Sequence, residues 1–120
     1  MKAVLQNNPG NRETLFIGDA QKPSVKDNEV LVRVKATALN RMDIIQREGR
    51  YPLPDDASSI LGVDMAGVVE DFGSSVTNWK KGDEVFGLLQ GGGYAEYTNI
   101  AEGLLWRKPS HLSFEEAAAL

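Results

Sequence analysis

Cysteine is absent from the 120 residues, and histidine occurs once, at position 111. Without thiols there is no disulfide framework, no thiolate metal site and no catalytic cysteine. A lone imidazole cannot assemble a zinc site with them. The lack of cysteine fits a reducing compartment, and a cytoplasmic location is the expectation. Positive charge is also scarce: 13 basic residues stand against 17 acidic ones, for a net charge of −4. That balance argues against nucleic acid or an anionic membrane as a partner. No apolar run is long enough to span a bilayer. Met1 to Leu5 enters a strand-like run directly, without the apolar core of a signal peptide. Repeats and low-complexity segments are missing too. What remains is an ordinary globular composition, 42% hydrophobic and 25% charged, enough for one domain with a modest core.

The chain reads as short strands punctuated by Gly/Pro turns. Lys2 to Gln6 is a strand, and Asn7 to Asn11 (NNPGN) is a turn. Leu15 to Ile17 is a second strand and Lys22–Ser24 a loop. Glu29 to Leu39 carries the clearest alternation. Val30, Val32 and Val34 share one face, while Leu31, Arg33 and Lys35 share a more polar one, the pattern of half-buried antiparallel sheet. Asn40 to Gly49 reads as a short helix, with Asn40 as N-cap, Asp43 near the positive end of its dipole and Gly49 as a stop. Tyr51 to Pro54 (YPLP) forces extended chain.

The organising stretch is Ile60 to Gly73 (ILGVDMAGVVEDFG), a glycine-containing turn that becomes the buried strand around Val68 and Val69. Gly62 and Gly67, lacking a Cβ, permit unusual backbone angles or close packing. Trp79 anchors the following loop. Val85 to Leu89 is a strand, Gly91–Gly93 a tight turn, Tyr94 to Ile100 the return strand, and Gly103 to Trp106 a further one. Because a strand follows Gly91–Gly93, no helix N-terminus stands behind it to hold phosphate. Ser113 and Glu116 form a capping box that opens a helix through Leu120. A helix of about two turns is marginal unless it docks. The 120 residues are therefore expected to be part of a longer polypeptide. These elements indicate a mainly β, α+β fold: a small, partly open β-barrel with a helical cap.

Seven segments in order carry a family resemblance: Glu29–Val34 (EVLVRV), Ala38–Asp43 (ALNRMD), Gln46–Tyr51 (QREGRY), Ile60–Gly67 (ILGVDMAG), Lys81–Phe86 (KGDEVF), Gly91–Tyr97 (GGGYAEY) and Leu112–Ala119 (LSFEEAAA). Over its whole length the chain resembles the N-terminal GroES-like domain of the medium-chain dehydrogenase/reductase superfamily. Within it, the chain is most similar to the zinc-free, NADPH-dependent, zeta-crystallin-like quinone oxidoreductases. Zinc alcohol dehydrogenases of this superfamily carry a Gly-His-Glu triplet where this chain has Gly62-Val63-Asp64, and a catalytic cysteine where it has Asn40. Their four-cysteine lobe is missing as well, since Leu88–Gly93 (LLQGGG) passes straight to the return strand.

The resemblance implies a zinc-free reaction in which hydride passes from NADPH to a quinone or another α,β-unsaturated carbonyl. It implies a nucleotide-binding domain beyond Leu120 and a homodimer formed through that domain. It places Asn40, Asp43 and Tyr51 along the interdomain cleft. Asn40 and Tyr51 would face the nicotinamide and donate to the developing oxyanion, and Tyr51 could instead stack on a flat ring. Asp43 could orient either one, and Val63 and Asp64 would lie in the substrate pocket. Plainer readings stand beside these. Asn40 is a sound N-cap, and because the cap uses Oδ1 its amide stays free. Asp43 is a helix N-terminal charge, Tyr51 a packed loop aromatic and Val63 plain core. Asp64 is a turn residue or a buried, hydrogen-bonded carboxylate, and His111 is solvated. The functional alternatives are a zinc-independent enoyl thioester or alkenal reductase, and a non-enzymatic GroES-like interaction module.

Overall fold

The computed structural model describes residues 1–50 and 58–120. Tyr51, and with it one expected site residue, lies outside the described residues. Strand β1 (Lys2–Gln6) pairs antiparallel with β2 (Leu15–Asp19) in a two-stranded sheet. The main sheet has five antiparallel strands: β3 (Glu29–Thr37), β4 (Asp64–Phe72), β5 (Glu84–Leu88), β6 (Tyr97–Ala101) and β7 (Leu105–Arg107). Their spatial order is β6-β3-β4-β5-β7. Helix α1 (Arg41–Arg47) follows β3, and α2 (Phe114–Ala118) lies against β3, β4 and β5.

The two sheets meet along Tyr94–Glu96. Val4 N–H donates to the Tyr94 carbonyl (2.8 Å), Glu96 N–H to the Lys2 carbonyl (3.1 Å) and Val34 N–H to the Glu96 carbonyl (2.8 Å). This backbone bridge links β1 to β3, and the described strands form open sheets, in agreement with the partly open architecture. It also shortens the expected return strand. Tyr94 to Glu96 is spent joining the sheets, and β6 itself begins at Tyr97.

Val30, Val32, Met65, Val69, Val85, Ile100 and Trp79 form the main core. Each fully buried valine or methionine contributes roughly 1.5–3 kcal/mol of apolar transfer. A smaller cluster pairs Ala66 of β4 with Ala117 and Ala118 of α2. The capping box at Ser113 forms as expected. Glu116 N–H donates to Ser113 Oγ (3.0 Å), and Ser113 N–H donates to Glu116 Oε1 (2.9 Å).

Several local expectations need correction. Leu31, assigned to the polar face of β3, is only 5% exposed. The pairing of β3 with β4 shifts register between Leu31 and Val32, so strict alternation fails and Val30, Leu31 and Val32 are all buried. β3 ends at Thr37 instead of Leu39. Glu102–Leu104 forms a single 3-10 turn, which moves the expected Gly103 strand to Leu105–Arg107. Val63 is half-buried and not plain core, because it precedes β4 and lies outside the paired span of the sheet.

Gly67 explains how β4 can sit so close to β3. A Cβ there would lie 2.2 Å from the Arg33 carbonyl oxygen and 2.8 Å from Val32 Cγ1. Only glycine fits that crossing.

Candidate active-site cluster

The turn from β3 into α1 brings four polar side chains together. Asn40, extended at φ −129° and ψ 152°, occupies the N-cap. Its N–H donates to Asp43 Oδ2 (3.0 Å), and Asp43 N–H returns to the Asn40 carbonyl (3.0 Å). The Asn40 carboxamide reaches across to β4, where Nδ2 donates to Asp64 Oδ2 (2.7 Å). The start of β4 is fixed in turn by Thr37, whose Oγ1 donates to the Asp64 carbonyl (2.6 Å).

That bond corrects one expectation. The Asn40 amide is not wholly free: one of its two hydrogens is committed to Asp64, which leaves one. Asp64 is thus hydrogen-bonded and not a bare turn residue, though half-buried and not buried as expected.

Asp43 is 3% exposed, far more deeply placed than a surface helix charge. Its Oδ2 also accepts from the Tyr94 hydroxyl at 2.6 Å. Its Oδ1 has no hydrogen-bond partner among the described residues. Burial, and then the hydrogen bond to Asp43, pushes the Tyr94 phenol well above the usual tyrosine range, so it stays protonated and donates. Tyr94 did not stand out in the sequence. Its partner lies 51 residues away, and only its position after a glycine turn hints at a fixed ring.

The glycine turn behaves as a packing element. Gly92 N–H donates to the Ile60 carbonyl (2.7 Å), Gly93 N–H to the Gly62 carbonyl (3.0 Å) and Tyr94 N–H to the Leu61 carbonyl (2.9 Å). These amides are used by the backbone, and none is left to cradle phosphate. Gly62, at φ 106°, makes room for the ring; a Cβ there would lie 2.7 Å from Tyr94 Cδ1.

Asn40, Asp43, Tyr94, Leu39 and Leu61 line a cleft of about 410 Å³. An apolar groove of about 650 Å³ adjoins it between β1 and the end of β3, with Leu39 and Tyr94 on the shared wall. Leu39 is 85% exposed, an apolar side chain presented at the mouth of the cleft. His111 is exposed, as expected of a solvated loop residue. Asp64 meets Asn40 across 24 residues of sequence, but neither Val63 nor Asp64 lines this cleft, contrary to their expected place in the substrate pocket.

The residues do not fit a zinc site. Asn40 points its amide at Asp64, and Val63 has no ligating atom. Among the described residues, no group of three or more His, Asp or Glu side chains is placed to hold a metal. No glycine-rich strand–turn–helix occurs among them either.

The model of the alcohol dehydrogenase GroES-like domain matches residues 26–110. The chain belongs to that family. It is 38% identical to the 2-methylene-furan-3-one reductase of Solanum lycopersicum, over the whole chain and 34% of the relative. It is 35% identical to the quinone oxidoreductase of Homo sapiens, over the whole chain and 37% of the relative. The solved quinone oxidoreductase of Escherichia coli, complexed with NADPH, superposes with a TM-score of 0.89 at 31% identity, covering 99% of this chain and 36% of that one. The chain thus spans about a third of the length of these relatives. Among the described residues no helix is long and apolar enough to cross a membrane.

Proposed function

We propose that this domain forms the substrate side of a zinc-independent, NADPH-dependent oxidoreductase that reduces a quinone or another α,β-unsaturated carbonyl. The nucleotide-binding domain would lie beyond Leu120. The observation that carries the reading is the Asn40 carboxamide. It is held by Asp64 while Asp43 holds the Asn40 backbone N–H, at a cleft with one Nδ2–H still available.

A reduced nicotinamide, when bound, supplies hydride. Asn40 does the rest that this chain can do: its remaining Nδ2–H donates to the carbonyl oxygen as negative charge develops there. Such acceptors already take hydride readily, so positioning and one or two donors replace the Lewis acid. Leu39 and the adjoining apolar groove accommodate a flat hydrophobic acceptor. Tyr51 would be the second donor or a stacking surface. The similarity to the tomato furanone reductase supports a second reading, with an exocyclic enone as acceptor in the same cleft.

Steady-state kinetics of the full-length protein with NADPH test both readings. Asn40→Ala is expected to lower kcat about 100-fold, the usual effect of losing one oxyanion donor. A fall with 1,2-naphthoquinone supports the quinone reading. Turnover of a 2-methylene-furan-3-one without turnover of the quinone would favour the second reading. No effect of Asn40→Ala on any acceptor would refute the assignment.

A further inference from the structure

We infer that Tyr94 is a positioning residue for the Asn40 amide, acting through Asp43; this rests on the proposed role of Asn40. Three elements that are remote in sequence converge here: the turn after β5, the first turn of α1 and the start of β4. Tyr94 is fixed at its backbone from both sides, by its N–H to Leu61 and by its carbonyl from Val4. Its ring lies on the bare Cα of Gly62. The hydroxyl therefore arrives at a defined point, 2.6 Å from Asp43 Oδ2.

The same oxygen accepts the Asn40 N–H, so Tyr94 and the Asn40 backbone share one atom. Among the described residues these are the only donors to the buried Asp43 carboxylate. Together they fix the rotamer of Asp43, and Asp43 fixes where the helix starts. The side chain of Asn40 then bridges to Asp64, which defines where its remaining N–H points. Without the phenol, one donor is left to hold Asp43, and the carboxylate is free to turn toward solvent through the cleft. The first turn of α1 moves with it. Tyr94 itself need not touch the substrate. Its protonation is secure, because burial and Asp43 hold the phenol protonated through neutral pH.

The test compares Tyr94→Phe, Asn40→Ala and the double variant in the full-length protein. Tyr94→Phe is expected to lower kcat for the quinone about 10- to 100-fold, as a misplaced donor would. The KM for NADPH should stay within about twofold, and in the Asn40→Ala background the substitution should cost less than about twofold more. Independently of activity, isotope-edited NMR of the chain without cofactor should show faster water exchange of the Asn40 side-chain amide in Tyr94→Phe. Asp43→Ala, which removes the shared acceptor, should reproduce the fall in kcat, whereas Asp43→Asn, which keeps it, should cost little; this pair serves if Tyr94→Phe does not fold. A Tyr94→Phe enzyme with unchanged kcat, beside an impaired Asn40→Ala, overturns the inference and leaves the function standing. A full additional loss in the double variant also overturns it. An unimpaired Asn40→Ala overturns the function and the inference with it.

Discussion

Truncating Asp43 tests whether the cluster stabilises the domain or only decorates it. Asp43 is 3% exposed and accepts two hydrogen bonds at Oδ2, from Tyr94 at 2.6 Å and from Asn40 N–H at 3.0 Å. A hydrogen bond to a charged acceptor contributes about 1.5–3 kcal/mol. Two of them would come to about 3–6 kcal/mol, offset by the cost of burying a carboxylate whose Oδ1 is unpartnered among the described residues. The net expectation for Asp43→Ala is a loss of about 2–4 kcal/mol. Asp43→Asn behaves differently. Its single oxygen can still accept from both donors, and its NH2 takes the place of the orphan Oδ1. Only charge assistance is lost, about 1 kcal/mol. Equilibrium urea unfolding measures both, with an unchanged m-value marking an intact native state. If the two variants lose the same stability within about 0.5 kcal/mol, or Asn is the costlier, the hydrogen-bond account is refuted.

Other consequences follow from single contacts. Gly67→Ala should cost more than about 3 kcal/mol, because its Cβ would meet the Arg33 carbonyl at 2.2 Å and push β4 from β3; urea unfolding of the variant measures it, and a neutral result would contradict the close crossing. The Tyr94 phenol titrates above its ordinary value of 10.0 in the folded protein. Its contribution to stability is therefore complete below pH 10.0 and is lost as pH rises beyond it. Tyr94→Phe should flatten that alkaline decline in the unfolding midpoint. Ser113→Ala should remove about 1 kcal/mol by opening the capping box of α2. It should also raise the Glu116 carboxyl only part of the way toward the ordinary range, because that carboxyl is held low first by the Ser113 backbone N–H, which alanine keeps, and then by the Ser113 hydroxyl, as read by NMR titration.

Local chemistry was legible where a residue acts within a few positions of itself. Ser113 and Glu116 form their box, Asn40 takes the N-cap position of α1, though without the expected Oδ1 bond, and the valines of β3 mark the core, because caps and strand alternation are short-range signals. The bulge between Leu31 and Val32 was not legible. It depends on how β4 registers against β3, and it buries a leucine that alternation assigns to the polar face. The cluster shows the same divide. Asn40, Asp43 and Asp64 were identified from the family motif, and the structure brings them together. Their bonds, however, run across 24 residues from Asn40 to Asp64 and across 51 from Asp43 to Tyr94. Nothing local in the sequence announces such pairs. The burial of Asp43 is likewise a product of packing, and so is the commitment of one Asn40 amide hydrogen to Asp64.

The central claim is hydride transfer to an activated carbonyl without metal, through the domain that carries Asn40. The most direct measurement is NADPH oxidation by the full-length protein with 1,2-naphthoquinone, before and after exhaustive chelation. The account predicts turnover that chelation leaves unchanged. Loss of turnover on chelation, restored by added zinc, would contradict it.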